Sequence, residues 1–148
     1  MQIVLDSSVV LKWYVPEEDS HLAVELRQWI HRNIQRVIVP RFFYLEMASI
    51  LWKKQALRKE LTPRDAHDIR HTISSLDFYV IEDKVLLSQA CALAEKYTIT
   101  PYDALYAASS IEESSVFVTA DTKLVQNLQK HPSSEQFIPL KDWKRLQK

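Results

Sequence analysis

Short, unbroken apolar runs alternate along this chain with longer segments whose apolar residues recur every three or four positions. The runs are Ile3-Val4-Leu5, Val37-Ile38-Val39, Phe78-Tyr79-Val80-Ile81, Val116-Phe117-Val118-Thr119 and Phe137-Ile138-Pro139-Leu140. They are rich in β-branched and aromatic residues and do not alternate with polar ones, which reads as strands buried on both faces. Between them, helices are expected over 7–15, 21–32, 41–58, 62–76, 83–97, 100–113 and 122–129. Strands alternating with helices in this way predict an α/β domain with a largely parallel central sheet of four or five strands, flanked by helices. The fifth run contains Pro139 and fits an edge strand.

Local chemistry sharpens the boundaries. Pro16 ends the first helical segment and Pro40 the second strand. Thr62-Pro63-Arg64-Asp65 is a helix opening, with Thr62 as cap, Pro63 at the first helical position and Asp65 in place of the usual capping-box Glu. Thr100-Pro101-Tyr102-Asp103 repeats it, and Asp83 is placed to cap the helix over 83–97. The 41–58 segment is apolar around much of its circumference, so it is central or shared with a partner. Its later residues, Lys53, Lys54, Arg58 and Lys59, suit a helix C-terminus.

A length of 148 residues fits one domain, 1–148. The chain has no glycine. That excludes a dinucleotide fingerprint, a phosphate-cradling P-loop and a G-x-S-x-G nucleophile elbow. Cys91 is the single cysteine, so no internal disulfide forms, which suits a reducing compartment. No export signal or membrane-length apolar stretch is present, and a cytoplasmic location is expected. The 19 basic and 19 acidic residues cancel. Setting four acids aside around a cation leaves 15 acids against 19 bases, a balance compatible with an RNA partner.

Four acids stand out. Asp6 ends the first predicted strand and Asp121 lies just past the fourth. Asp103 is in the first turn of the helix opened by Thr100, and Glu46 is in the second turn of the 41–58 helix. A parallel sheet brings all four to its carboxyl edge, where open α/β sheets bind ligands. Clustered carboxylates raise one another's pKa, and a hard divalent cation offsets the repulsion. Magnesium takes oxygen ligands at about 2.1 Å, and manganese suits the same donors. Such an ion activates water and stabilises charge on a phosphate oxygen. The expected chemistry is metal-dependent phosphodiester hydrolysis, with RNA as substrate. Asp6, Asp103 and Asp121 also stand where helix caps are expected. Glu46 is flanked at three and four residues by Phe42, Phe43, Ser49 and Ile50. Its alternatives are a buried ion pair, to Arg41 or Lys53, or a polar edge shared with Ser49.

These residues resemble the PIN-domain ribonucleases, and more closely the toxin subunits of VapC-type toxin–antitoxin pairs. The resemblance is carried by Ile3-Val4-Leu5-Asp6-Ser7-Ser8, by Leu45-Glu46, by the stretch from Thr100-Pro101-Tyr102-Asp103 through Ala104-Leu105-Tyr106-Ala107-Ala108, and by Val118-Thr119-Ala120-Asp121. It covers nearly the whole chain. It implies Asp6, Glu46, Asp103 and Asp121 as metal ligands and catalytic residues, Mg²⁺ or Mn²⁺ as cofactor, RNA as substrate, a homodimer, and inhibition by a cognate antitoxin. Two departures are visible. Glu113-Ser114-Ser115 replaces a turn that often carries glycine in the family, so a different turn type is expected there. No further acid follows Asp121 between Thr122 and Lys130.

Other positions complete the reading. Ser7 and Thr119 are placed to hydrogen-bond a ligating carboxylate, a water or a phosphate, or simply to cap. Lys12, Arg41 and Lys53 are candidates to hold flanking phosphates. Phe42, Phe43 and Trp13-Tyr14 are candidates for a dimer surface or antitoxin groove. Trp13, Trp29 and Trp52 are expected in the core or an interface, Trp143 in packing of the chain end. Cys91 is expected as a small core residue, and His67 and His71 as a surface pair. Two rival readings use the same acids: a catalytically inactive PIN-like binding protein, and a phosphoryl-transfer protein using Asp6. Against the latter, Ser8 stands where a phosphatase of that class has its second aspartate.

Overall fold

All five apolar runs become strands: β1 (Gln2–Leu5), β2 (Arg36–Pro40), β3 (Tyr79–Ile81), β4 (Val116–Thr119) and β5 (Phe137–Pro139). The computed structural model describes every residue except Ile34. The strands form one sheet in the order β3-β2-β1-β4-β5, and every pairing is parallel. Val4 stands beside Ile38 on one side and Phe117 on the other. Ile3, Val4 and Leu5 are wholly buried at the sheet's centre, as their lack of alternation requires. β5 is an edge strand, where Pro139 costs no ladder bond.

Among the described residues, seven α-helices connect the strands: α1 (Ser7–Leu11), α2 (Ser20–Arg32), α3 (Phe42–Trp52), α4 (Pro63–Ser74), α5 (Asp83–Tyr97), α6 (Pro101–Glu112) and α7 (Thr122–Asn127). Two 3₁₀ segments, Ser134–Gln136 and Leu140–Gln147, flank β5. The chain works outward from β1 to β2 and β3, then returns to the far side of β1 for β4 and β5. The strand order therefore reverses between β1 and β4, and the crevice at their carboxyl ends is the topological switch point. Asp6 and Asp121 stand at that crevice. Ala104, Ala107 and Ala108 are fully buried, and these small side chains let α6 lie close against α5 and the sheet. Among the described residues no helix is long and apolar enough to cross a membrane.

Several local expectations change. The first helix stops at Leu11 rather than Val15, four residues short. The 41–58 helix is α-helical only to Trp52 and continues as one π-helical turn, Lys53–Leu57. That turn carries Lys54 inward, so it is not the exposed basic end the sequence implied. Lys54 is 6% exposed and bonds Glu17 at 2.9 Å and Glu60 at 2.8 Å. Burial alone would raise the Glu17 carboxyl, but Lys54 and Lys12 together hold it below the ordinary value. Asp83 does not cap its own helix, whose N-cap is Glu82. It accepts a 3.0 Å hydrogen bond from Phe42 N and so caps α3 instead. The turn before β4 keeps a left-handed residue, with Ser114 at φ 48° where glycine would be unstrained.

The aromatic residues sort themselves differently from their pattern. Phe43 is fully buried and offers nothing to a partner. Trp13 and Tyr14 pack against the core, and Trp52 is half exposed. Trp143 closes the chain end, buried beside Trp29 with ring centroids 6.1 Å apart. Cys91 is half-buried, and His67 and His71 lie on the surface of α4.

Candidate functional site: an uncompensated acid cluster

Asp6 is the residue between β1 and α1, and its backbone N–H still bonds Val118 O across the sheet, at 3.2 Å. Its side chain caps α1, with Oδ1 accepting from Ser8 N at 3.2 Å. Its other oxygen, Oδ2, accepts from the Thr119 hydroxyl at 2.5 Å. Thr119 Oγ1 in turn accepts from Asp121 N at 3.0 Å, and Ser8 Oγ accepts from Ala120 N at 3.2 Å. These bonds fasten the ends of β1 and β4 together. Asp121 uses Oδ1 to cap α7 through Leu124 N, at 3.0 Å, and remains exposed. Asp6 and Asp121 each cap a helix with one carboxylate oxygen and stand at the crevice between the ends of β1 and β4.

Glu46 approaches from α3. Its Oε1 accepts from the Tyr106 hydroxyl at 2.7 Å and is also bonded by Ser7 Oγ. Ser7 Oγ lies 3.1 Å from Asp6 Oδ1 as well, so its single proton bridges two acids. Neither Arg41 nor Lys53 pairs with Glu46, and Ser49 gives it no hydrogen bond. Burial pushes the Glu46 carboxyl up; Ser7 and Tyr106 pull it down, and the charges of Asp6 and Asp103 add to the rise. Burial likewise raises the Asp103 carboxyl, helped by Asp6 and Asp121 and opposed by Thr100. Through these mutual repulsions all four acids belong to one electrostatic group.

Among the described residues, none of Asp6, Glu46, Asp103 and Asp121 takes part in an ion pair. Nor do three acids, histidines or cysteines already converge as a ready-made metal group. The donor set is oxygen only and partly buried, and the mutual charges of its members raise the Glu46 and Asp103 carboxyls. Those are properties a hard divalent cation fits. Asp6 is 7% exposed with both oxygens engaged by donors, a poor arrangement for a nucleophile and one that disfavours phosphoryl transfer onto it.

Sequence reasoning missed Tyr106. It is fully buried, stacked on Phe117 at 5.9 Å, and its hydroxyl is aimed into the acid group. Burial and the charges of Asp6 and Glu46 push that hydroxyl well above the ordinary tyrosine value, so it stays a donor. A tyrosine among alanines and leucine reads as core, and only its polar end betrays a second role. The three basic candidates separate. Lys12 is bound to Glu17 at 3.3 Å and to Glu18 O at 2.8 Å. Arg41 is bound to Glu82, with Nε to Oε2 at 2.8 Å. Lys53 makes no ion pair among the described residues and borders a cleft with Glu46.

The family model described as PIN domain matches residues 3–127. The chain belongs to the PIN domain family. A curated relative, Ribonuclease VapC3 of Pyrobaculum aerophilum, is 28% identical over 129 residues, covering 85% of this chain and 94% of that protein. The fold is shared with the crystal structure of PAE2754 from the same organism, at TM-score 0.70 and 22% identity, over 99% of this chain and 90% of that one. It is shared also with a toxin–antitoxin complex from Klebsiella pneumoniae, at TM-score 0.63 and 15% identity, over 93% and 97% of the two chains. VapBC2 from Rickettsia felis, solved bound to a DNA fragment from its promoter, gives TM-score 0.62 and 13% identity over 94% and 97%. Within this PIN fold, Asp6 and Asp121 follow the two strands that flank the switch point, and α3 and α6 supply Glu46 and Asp103.

Proposed function

We propose that this PIN-domain chain is a divalent-metal-dependent endoribonuclease, the toxin of a toxin–antitoxin pair. The observation that carries the reading is four acids at the carboxyl edge of a parallel sheet, none of them in an ion pair among the described residues. Family membership and the ribonuclease relative give the substrate as RNA. The shared fold with a toxin–antitoxin complex supports an antitoxin as partner, and a homodimer is part of the same proposal.

Asp6, Glu46, Asp103 and Asp121 are the residues that would hold Mg²⁺ or Mn²⁺. When bound, the ion supplies an activated water and neutralises charge developing on the scissile phosphate. Thr119 fixes the rotamer of Asp6. Ser7 and Tyr106 fix Glu46 by its Oε1, and among the described residues none donates to Oε2, which is left for a ligand. The rise of the Glu46 and Asp103 carboxyls makes binding compete with protons, so the ion is held more weakly in acid.

The test is cleavage of mixed cellular RNA by the purified chain with Mn²⁺, with Mg²⁺ and with chelator, beside Asp6→Asn. Metal-dependent cuts that vanish in the folded variant are expected. Equal turnover by Asp6→Asn contradicts the assignment.

A further inference from the structure

Glu46 also lines a cleft of about 410 Å³ whose other walls are Phe42, Leu45, Ser49, Ile50, Lys53 and Tyr102. On α3 these residues recur at three- and four-residue spacing, so they form one face running about 16 Å from Phe42 to Lys53. At its near end the rings of Phe42 and Tyr102 are stacked, 4.8 Å apart and 15° from parallel. Tyr102 is 58% exposed and Leu45 69% exposed. Tyr102 is thus held flat by the ring beside it while much of its own surface stays in water. At the far end stands Lys53, exposed and without an ion pair among the described residues. Among the described residues, Glu46 is the one acid that borders the cleft.

The two helices that line this cleft also carry two of the four acids. Tyr102 directly precedes Asp103 on α6, and Phe42 and Leu45 precede Glu46 on α3. We propose that the cleft is a subsite for one unpaired base of the RNA, stacked on the Tyr102–Phe42 pair beside Leu45, with Lys53 on a neighbouring phosphate. The proposal rests on the nuclease reading and deepens it. A planar base suits a free aromatic face, and a lysine without an ion pair among the described residues suits a phosphate. An aliphatic helix docking here would meet Ser49, Glu46 and Lys53 along the same face and gain little apolar burial from them. The subsite reads one base at a fixed distance from the bond that is cut, and makes Tyr102 a determinant of where cutting occurs.

The experiment measures binding of fluorescein-labelled, short single-stranded adenylate, uridylate and cytidylate RNA to the full chain in calcium. Wild type is compared with Tyr102→Ala, Tyr102→Trp and Lys53→Ala, and sedimentation of each gives its oligomeric state. Loss of one stacked base weakens Tyr102→Ala binding about tenfold, while Tyr102→Trp stays within about twofold of wild type. Lys53→Ala weakens all three RNAs alike and lowers the salt dependence of binding. Wild-type binding with no change in Tyr102→Ala overturns the subsite and leaves the nuclease reading standing. Loss of self-association in Tyr102→Ala at unchanged RNA affinity also overturns it and gives the face to a second copy. If wild type binds no RNA, both readings fall together.

Discussion

The chain opens two helices with the same four-residue pattern, and the two openings end up doing different work. At Thr62-Pro63-Arg64-Asp65 the box closes: Thr62 Oγ1 accepts from Asp65 N at 3.0 Å, and Asp65 Oδ2 accepts from Thr62 N at 3.4 Å. The acid is exposed and spent on its own backbone. At Thr100-Pro101-Tyr102-Asp103 the threonine caps in the same way, at 3.1 Å, but the aspartate returns no bond to Thr100 N. Its carboxylate instead faces Asp6 and Asp121 and is pushed up by burial and by them. A capping motif fixes where a helix begins. Whether its acid is structural or chemical depends on which edge of the sheet that beginning reaches.

The largest expected effect separates the two aspartates by activity. Asp103→Asn is expected to drop RNA cleavage to background while Asp65→Asn leaves the rate unchanged, read from initial rates on one RNA substrate. Equal rates in both variants would break the comparison. Next comes Tyr106→Phe, which keeps the ring stacked on Phe117 and removes only the hydroxyl at Glu46. Loss of such a supporting bond costs roughly 10–100-fold in metal affinity. A calorimetric titration with Mn²⁺ measures it, and unchanged affinity would reduce Tyr106 to a core residue.

Stability against pH sharpens the same contrast. Glu46 and Asp103 have native pKa values above their unfolded ones. Their contribution to stability is therefore complete below the ordinary carboxylate range and is lost as pH rises through the raised native values. Metal-free protein is expected to lose Tm from these groups between mildly acidic and neutral pH. A divalent ion should reverse that slope, because it binds the ionised form. Asp103→Asn removes one of the repelling charges and is expected to raise the metal-free Tm at neutral pH. Asp65→Asn loses part of a cap and is expected to lower stability by about 0.5–1 kcal/mol at every pH. The smallest effect is expected at the glycine-less turn before β4. Ser114→Gly should stabilise by about 0.5–1 kcal/mol, relief of the left-handed serine exceeding the added freedom of the unfolded chain. Denaturant unfolding measures it.

Much of this was legible in the sequence because it rests on simple periodicities. Unbroken apolar runs such as Ile3-Val4-Leu5 identify buried parallel strands, and acids at their ends fall at the carboxyl edge whatever the details of packing. Glu46 was legible for the opposite reason, as an acid on an apolar face. What stayed hidden depends on contacts between distant segments. Tyr106 and Glu46 are 60 positions apart. Asp83 looks like a cap for its own helix, yet it caps α3, 41 positions earlier. Lys54 looks like one more exposed cation, yet the π-helical turn carries it inward to Glu17 and Glu60. Phe42 and Phe43 are neighbours in the same pattern, but one lines an open cleft and the other is fully buried. Single-position rotation about a helix decides such cases, and composition does not encode it.

The central claim is that four acids, none of them in an ion pair among the described residues, are one site for a divalent ion. Calorimetric titration of chelator-treated protein with Mn²⁺ tests it most directly, comparing wild type with Asp65→Asn, Asp6→Asn and Asp103→Asn. The account predicts matching saturable binding for wild type and Asp65→Asn, and its loss in the other two, each still folded by circular dichroism. Equal binding by all four proteins, or binding by none, would contradict it.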